Sequence, residues 1–369
     1  MSSHCENETG VVRIPPRSQQ SGVSLHDPYS CARLVMLGFL WAAPLSSMAA
    51  SSATFSGGGG SVVASFRALP EWLLEAGLKV FNGDHVALQR LIQTTREPIL
   101  LKKGTRLRLV QPPNDNSITK LMWEPADGYG LQKGSLVSDI NAGATVVDIG
   151  ANLGYFTISV ARLRPTLHIL AVEPVPLTYF YLLWNCWINN VRVRIVQAGG
   201  LRERTDPGVD AVNAAIGRDG EQTTLLFNPN RTQETVMQSM FYRNPMTLGC
   251  GQINSGMRGK RCVSKLGNQT HQIHPVTVPS LDVYAQLQRM GNSAGDVAVM
   301  KVDCEGCEVT FLSEKRVRDW FTDNMRVKHV VGETHEWAYS GFQAADVKKM
   351  KQAFQKRGCK WDGQVRIRC

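Results

Sequence analysis

The sequence lacks an apolar run long enough to cross a membrane comfortably, and it lacks a regular cysteine pattern. The most apolar stretch of its first part, residues 34–45 (LVMLGFLWAAPL), has a dozen residues, whereas a transmembrane helix needs about 20. Nine cysteines stand at irregular spacing among 369 residues, so no disulfide framework can be read. The C-x-x-C pair Cys304/Cys307 has no second pair to complete a tetrahedral zinc site.

Residues 1–61 do not read as part of the fold. They are rich in Ser, Gly and Pro, and Gly57–Gly60 is a flexible linker. Segment 34–45, followed by small residues, is typical of the apolar part of a signal sequence, although the stretch before it is long for one. A marginal single-pass membrane anchor and a chance apolar cluster are the alternatives. We expect secretory or organellar targeting or an anchor through 34–45, and a cytoplasmic protein otherwise.

The chain is basic, with a formal net charge of +10 at pH 7. Its lysines and arginines fall in small separate groups, so a solvated surface is the simplest interpretation. Attraction to an anionic acceptor, a membrane surface or nucleic acid is the alternative.

Thr145 to Glu173 carries the clearest structural pattern. A strand over Thr145–Ile149 runs into the turn Gly150–Gly154, and apolar residues then recur at helical spacing. Leu167–Val172 is a second apolar run, as in a parallel strand buried on both faces. Such a βαβ unit binds its ligand where the strands end, which is where Glu173 lies.

The turn lacks the middle glycine of a dinucleotide-binding G-x-G-x-x-G and has Asp148 just before it. A carboxylate there would repel a pyrophosphate but attract the sulfonium and ammonium groups of S-adenosylmethionine. We therefore expect Asp148 to orient the methionine moiety, the turn backbone to make room for it, and Glu173 to accept the ribose hydroxyls. Asn213 either bonds the adenine amino group or starts a turn. The predicted cofactor-binding residues are Asp148, Gly150, Ala151, Asn152, Gly154, Tyr155, Glu173, Pro174, Asn213 and Ala214.

A series of motifs resembles the FkbM-type S-adenosylmethionine-dependent O-methyltransferases over roughly Ser135 to Lys360. They are VVDIGANLGYFT, VEPVPLTYFYLLWNCWINNV, NAAIGRDGEQTTL, VPSLDVY, VMKVDCEGCEVTFL and VVGETH. The resemblance implies an α/β, Rossmann-like class I methyltransferase fold over 135–369, with a mostly parallel seven-stranded sheet flanked by helices. It also implies methyl transfer to a hydroxyl, on a carbohydrate or another small secondary-metabolite acceptor.

Residues 62–134 form a lead-in before this domain. Glu71–Phe81 and His85–Thr95 show helical spacing, with Leu74 and Val86 among the residues expected to face inward. Apolar and polar residues alternate over Arg106–Val110. A PPNDN turn follows, and Ile118–Trp123 is a second strand-like segment, so the pattern predicts a β-hairpin. Tyr129 either borders the acceptor pocket or packs in the core.

Asn228 to Pro275 is long, polar and glycine-rich with little periodicity, so it predicts a lid or disordered loop, where we place acceptor recognition. If the chain is secreted, Cys250 and Cys262 can be bridged and the sequons at Asn230 and Asn268 glycosylated.

A buried strand over Val297–Val302 delivers Asp303 to the rim of the sheet. Asp303 is expected to face the reacting methyl group and Glu305 to reach the acceptor pocket. The acids Glu305 and Glu308 would raise the pKa of the neighbouring thiols, so the C-x-x-C spacing reads as coincidence and not as a redox motif.

The last strand before the C-terminal region ends in Glu333-Thr334-His335. Methyl transfer is an in-line displacement that needs the acceptor proton removed, and histidine is a base at neutral pH. His335 is therefore the candidate base, with Glu333 orienting it or binding the acceptor. The alternative is that His335 forms a hydrogen bond at the end of the strand and has no catalytic role. Spacing does not require a metal, although Asp303, Glu305 and Glu333 are suitable ligand types.

Two other classes of protein remain open: a redox enzyme using a nicotinamide cofactor, and a non-catalytic protein that binds a nucleotide on a Rossmann-type fold. The missing middle glycine and Asp148 disfavour the first. A nucleic-acid methyltransferase is disfavoured because no N-P-P-Y-type motif occurs and the basic residues form no stripe. The sequence does not indicate an oligomeric state.

Overall fold

The structure is a computed structural model, and all the residues that it describes belong to the compact unit Gly59–Cys369. They are residues 68–101, 106–115, 118, 129, 131, 140–200, 206–228, 231–237, 262–266, 269–291, 297–304, 307, 327, 329–333, 352, 355–356, 358, 360–362 and 366–368. Segment 34–45 and the sequons lie outside this set. Within it, no helix combines the length and the apolar character needed to cross a bilayer.

The described elements are five helices and fifteen strands. The helices are α1 (Glu71–Val80), α2 (His85–Thr94), α3 (Tyr155–Leu163), α4 (Pro176–Ile188) and α5 (Val283–Arg289). The strands are β1 (Ile99–Leu101), β2 (Leu107–Leu109), β3 (Thr145–Ile149), β4 (His168–Val172), β5 (Val193–Val196), β6 (Gly208–Val212), β7 (Ala215–Ile216), β8 (Gln222–Asn228), β9 (Arg231–Met237), β10 (Cys262–Leu266), β11 (Gln269–Leu281), β12 (Val297–Val302), β13 (His329–Glu333), β14 (Lys360–Asp362) and β15 (Arg366–Arg368).

The main sheet has eight strands in the order β14-β15-β13-β12-β3-β4-β6-β5. The six strands from β13 to β5 run parallel to one another, and β15 is antiparallel to both β13 and β14. The Rossmann-like α/β fold predicted from the sequence is therefore confirmed. The sheet has one strand more than the seven expected, because β5 adds an edge beyond β6.

Both faces of the main sheet are covered, which explains why its central strands read as apolar runs with single interruptions, at Asp148, His168 and Lys301. Successive residues of one strand enter different cores: Val146 packs with α3 and α4, whereas Val147 and Ile149 pack with α5. All five residues of β3 are buried. The long βαβ pattern was thus readable because burial on two faces leaves little freedom of residue choice.

The lead-in packs against α4. Gly77 in α1 lies against Phe180, and Thr95 shares a hydrogen bond of 2.8 Å with the Tyr181 hydroxyl. Both predicted helices are present, but Val86 is 67% exposed and Leu74 is also exposed, so these two do not face inward as expected. Leu74 and Val86 lie close in the sequence to buried leucines, and helical spacing alone did not show where the apolar face of each helix ends.

The predicted hairpin has a different partner. β2 pairs in antiparallel fashion with β1, which precedes it in the sequence, with Ile99 opposite Leu109. Ile118 is helical and buried, and most of the segment expected to pair lies outside the described residues. Leu101, Leu107 and Leu109 are buried together in the core shared with α4, so the short apolar run of β1 supplies the observed partner of β2.

A second sheet lies where a structureless loop was expected between Asn228 and Pro275. Its strand order is β10-β11-β8-β9, and β7 joins it by pairing parallel to the end of β11. The loop prediction was wrong for the strands β9, β10 and the start of β11. In β11, Thr277 lies between two valines, but Gln269–Gln272 is four polar residues in a row. The start of β11 therefore carries no two-residue period that would have revealed it as a strand.

Candidate functional site

The parallel strands end in register, and this alignment creates the site. Val302 of β12 lies opposite Ile149 of β3, Ile149 opposite Val172 of β4, and Val172 opposite Val212 of β6. The residues that follow these strands therefore stand side by side on one rim: Asp303, Gly150, Glu173 and Asn213. The prediction that these four meet at one edge of the sheet agrees with this register.

The glycine turn after β3 is fastened to the end of β4. The backbone N–H groups of Gly150 and Ala151 both donate to the carbonyl of Val172, at 3.0 Å. Gly154 has a φ of 89° and serves as the N-cap of α3, so the turn ends in a backbone conformation that favours glycine. Tyr155 is the first residue of α3.

Gly150 is required by the chain itself. Its φ is 75°, and a Cβ on it would stand 1.8 Å from the backbone carbonyl oxygen of Asp303. The amide of Asp303 in turn donates to the carbonyl of Ile149 at 3.1 Å. The space expected to receive the methionine moiety is thus filled, at this residue, by the end of β12, and a cofactor contact of Gly150 stays a prediction.

Asp148 is fully buried and bound on both oxygens. Its Oδ1 accepts from the Lys301 ammonium at 2.9 Å, and its Oδ2 accepts from the Thr157 hydroxyl at 2.5 Å. Lys301 also donates to the carbonyl of Gly150 at 2.7 Å. The geometry therefore makes Asp148 a support of the glycine turn, and its contact with a methionine moiety remains a prediction.

Lys301 keeps its charge. Burial alone lowers the pKa of its ammonium, but the negative charges of Asp148 and Asp303 outweigh that penalty and raise the pKa above its usual value. The Lys301 ammonium thus lies at the end of β12 beside two carboxylates, which favour its charged form.

Glu173 is the acid predicted to bind the ribose of the nucleoside. Its Oε2 accepts from the amide of Asn152 at 2.8 Å and its Oε1 from the amide of Val175 at 2.9 Å. Burial raises the pKa of this carboxyl to about 7, although both backbone bonds and Lys301 act in the opposite direction. Each carboxylate oxygen has capacity for a second bond, so the two can also receive the two ribose hydroxyls.

Asn213 stabilises the backbone at the end of β4. Its Nδ2 donates to the backbone carbonyls of Glu173 at 2.8 Å and Pro174 at 2.9 Å. Both side-chain hydrogens are thereby used, so a bond to an adenine amino group would have to be accepted by Oδ1. Ala214, which follows, is fully buried in the core beside α5.

Asp303 is the more open acid of the rim, with 19% of its side chain exposed. Its Oδ2 accepts from the Tyr129 hydroxyl at 2.6 Å and lies 3.8 Å from the Lys301 ammonium. Tyr129, which belongs to the lead-in, is thus brought next to a predicted catalytic residue. The contact does not decide between the two alternatives for Tyr129, because its ring also packs against the core.

Cys304 and Cys307 form a disulfide, with 5.3 Å between their Cα atoms. The interpretation of this spacing as coincidence was therefore wrong. Neighbouring acids raise the pKa of a thiol and so affect its reactivity. They do not prevent a disulfide between two cysteines that are three residues apart. The bridge follows Asp303 directly and closes the segment that contacts the glycine turn.

The side chains of the other predicted catalytic residues lie outside the part of the chain that the structure describes. Glu305 and His335 lie outside the described residues, and for Glu333 the described part is the backbone, which ends β13 opposite Arg366. Among the described residues, no group of three or more His, Cys, Asp or Glu side chains is arranged to hold a metal ion. The roles of these three residues, and their alternative as metal ligands, stay predictions.

A family model for the methyltransferase FkbM domain matches residues 148–360, more than half of the chain. The chain belongs to the FkbM methyltransferase family. Membership confirms the resemblance seen in the motifs and, with it, S-adenosylmethionine as the cofactor.

This FkbM-family chain is similar to Methyltransferase 1 of Beauveria bassiana (strain ARSEF 2860), with 25% identity over 190 residues. The match covers 50% of this chain and 63% of that relative, so the chain spans less than two thirds of the relative's length.

Two solved structures show weaker likeness. The precorrin-6y C5,15-methyltransferase of Geobacter metallireducens GS-15 has 12% identity and a TM-score of 0.29, over 66% of this chain and 90% of that one. The TYW2 protein of M. jannaschii, in complex with AdoMet, has 16% identity and a TM-score of 0.21, over 48% and 85%.

The described rim suits a cationic nucleoside. Asp148, Glu173 and Asp303 place three carboxyl groups there, against the single ammonium of Lys301 among the described residues. The surplus of acid favours a ligand with positive charge and disfavours a diphosphate. Asp148 itself is paired with Lys301, so its role in orienting a cationic methionine moiety stays a prediction.

Sequence reasoning missed two supports of the site. Lys301 interrupts the apolar strand VAVMKV, and a lysine inside a buried strand is a signal that it has a charged partner. Asn185 in α4 is fully buried and donates to the carbonyls of Leu153 and Val110, which ties the glycine turn to the lead-in. It was hidden among the apolar and aromatic residues of α4.

Proposed function

We propose that this FkbM-family protein transfers the methyl group of S-adenosylmethionine to a hydroxyl of a small-molecule or glycan acceptor. The observation that carries the proposal is the position of Asp303. Its carboxylate is partly exposed and follows β12, and its backbone packs on the glycine turn at Gly150. A carboxylate beside the donor methyl group can take the proton of an attacking hydroxyl.

The residues of the rim divide the work. Glu173 and Asn213 hold the nucleoside end, whereas Lys301 and Asp148 fix the turn between nucleoside and acceptor. The cofactor supplies an activated methyl group on sulfur. Asp303 binds the acceptor hydroxyl and holds its proton, so that the oxygen approaches the methyl carbon in line. His335 and Glu333 are candidates to relay that proton onward.

The acceptor is proposed to be a small molecule or glycan and not a nucleic acid, since the basic residues form no stripe. The second sheet, with β9 and β10 at its edges, is proposed to recognise it. An association of segment 34–45 with a membrane also remains a proposal.

The test incubates the full chain and its Asp303→Asn variant with methyl-labelled S-adenosylmethionine and fractionated small-molecule extracts. We expect a labelled product whose fragmentation places the methyl group on oxygen, with turnover at least about a hundredfold lower in the variant. A methyl group on nitrogen or carbon would refute O-methylation. Cofactor binding without product from any fraction would favour the non-catalytic alternative.

A further inference from the structure

Tyr129 reaches the site from a point in the chain 174 residues before Asp303. Its ring meets Phe156 of α3 edge-on, with 5.6 Å between ring centroids, and Phe156 is buried. The hydroxyl of Tyr129 is therefore held by core packing where it donates to Asp303. A surface tyrosine touching an acid by chance would not be anchored in this way.

Lys301 approaches the same carboxylate from inside the sheet. Its ammonium lies 3.8 Å from Asp303 Oδ2 and 5.6 Å from the centroid of the Tyr129 ring. The hydroxyl of Tyr129 and the ammonium of Lys301 thus both face one oxygen of Asp303. Two fixed positive or donor groups on one oxygen restrict how the carboxylate can turn.

Exposure distinguishes the acids that Lys301 contacts. The Asp148 side chain is fully buried and that of Lys301 is 4% exposed, whereas that of Asp303 is 19% exposed. Asp303 is therefore the member of this charged cluster that an incoming molecule can touch. The groups that fix the orientation of the Asp303 carboxylate therefore also fix the geometry that it presents to the incoming molecule.

We propose that Tyr129 and Lys301 are positioning residues that aim the Asp303 carboxylate at the reacting methyl group. The inference rests on the proposed function. The acceptor oxygen bonds to the methyl carbon, the bond from sulfur to that carbon breaks with its electron pair left on sulfur, and the hydroxyl proton passes to Asp303. The proton then leaves to solvent.

The test needs no acceptor. S-adenosylhomocysteine lacks the methyl group, whereas the analogue sinefungin carries an amine-bearing carbon in place of the methylated sulfur. Both share the nucleoside, so contacts with Glu173 cancel in the ratio of their dissociation constants. The excess affinity for sinefungin, measured by calorimetry, therefore reports on negative charge at the position of the reacting methyl group.

We expect Asp303→Asn to reduce this sinefungin preference roughly tenfold, as the loss of a charge-assisted hydrogen bond implies. Tyr129→Phe removes one hydroxyl, retains the packing on Phe156, and should reduce the preference about threefold or more while leaving S-adenosylhomocysteine affinity within about twofold. The matched control is Tyr181→Phe, which loses a buried hydroxyl bonded to Thr95 away from the rim. It should leave the preference unchanged.

An unchanged preference in Tyr129→Phe overturns the proposal, as does an unchanged preference in Asp303→Asn. Equal losses in Tyr129→Phe and Tyr181→Phe also overturn it, because the effect would then be one of general stability. A wild-type protein that binds neither ligand refutes instead the cofactor site on which the proposed function depends.

Discussion

The two sheets of this protein differ in how they are held and in what they display. The main sheet is buried on both faces, and its parallel strands end in register beside Asp303, Gly150, Glu173 and Asn213. The second sheet has a small described core of Ala215, Leu225 and Val278, and hydroxyl pairs such as Thr224 and Thr277 bond across its strands near the surface. Changes in the first sheet should therefore be costly, and changes in the second tolerated.

The largest expected contrast between the two sheets is at Gly150 and Gly220, two glycines with similar positive φ angles. Gly150→Ala meets the Asp303 carbonyl and should cost more than about 4 kcal/mol of unfolding free energy or prevent folding. Gly220→Ala, in the turn between β7 and β8, has a φ of 82° and nothing within 4 Å of the new Cβ. It should cost only about 1 kcal/mol. Urea unfolding measures both, and equal costs would contradict the close contact of β3 with β12.

Two ion pairs give the next largest contrast. Lys301→Met leaves Asp148 buried without its cation and should cost about 3–5 kcal/mol. Arg289→Met breaks the pair of Arg289 with Asp219, whose side chains are 21% and 29% exposed, and should cost at most about 1 kcal/mol.

A double variant checks the reason for this contrast. Asp148→Asn combined with Lys301→Met removes both charges and should regain part of the stability lost in Lys301→Met. Thermal melts at low salt can rank the four proteins. If the double variant were less stable than Lys301→Met, the loss would not come from an uncompensated buried charge.

The pKa of Glu173 predicts an effect of pH on the rim. Because the pKa is raised from 4.5 to about 7, the contribution of this carboxyl to stability is fully present below pH 4.5. It is then lost as the pH rises to 7. Ribose hydroxyls favour the ionised form, so S-adenosylhomocysteine should bind about tenfold more weakly at pH 6 than at pH 8. Titration calorimetry across this range measures the change.

The control for this effect is Glu173→Gln, which cannot ionise. Its affinity for S-adenosylhomocysteine should be weaker at pH 8 and should not vary between pH 6 and 8 through this group. A wild-type affinity that is flat over the same range would mean that the carboxyl does not receive the ribose.

Asn213 stands where the two sheets meet and should show the smallest effect. Asn213→Ala removes both bonds to the backbone at Glu173 and Pro174, and we expect cofactor affinity to fall about fivefold, near 1 kcal/mol. The matched variant Thr223→Val loses a hydroxyl pair with Ser280 in the second sheet and should leave affinity unchanged. An unaltered affinity in Asn213→Ala would assign Asn213 to the turn alone.

The two sheets also differ in how far they could be predicted. Residues Thr145 to Glu173 were assigned correctly because burial on both faces imposes mostly apolar strands, and a glycine turn marks the start of the helix between them. The strands β9 and β10 and the start of β11 were taken for a loop because most of their positions are polar. A local pattern fails where the pairing partner, and not the residue itself, decides the structure.

The site was predictable residue by residue but not pair by pair. Asp303 and Glu173 could be placed on one rim because parallel strands end together. The partnership of Asp148 with Lys301 spans 153 residues, and that of Tyr129 with Asp303 spans 174. Sequence patterns report spacing along one element, so contacts between distant segments became visible only when the strands were set in register.

The close approach of Gly150 to Asp303 has a practical consequence for redesign. With a carbonyl filling the space of a side chain, neither loop can be lengthened or reshaped without disturbing the other. Anyone wishing to give this scaffold a new acceptor should therefore leave both loops intact and vary the second sheet, which is proposed to recognise the acceptor.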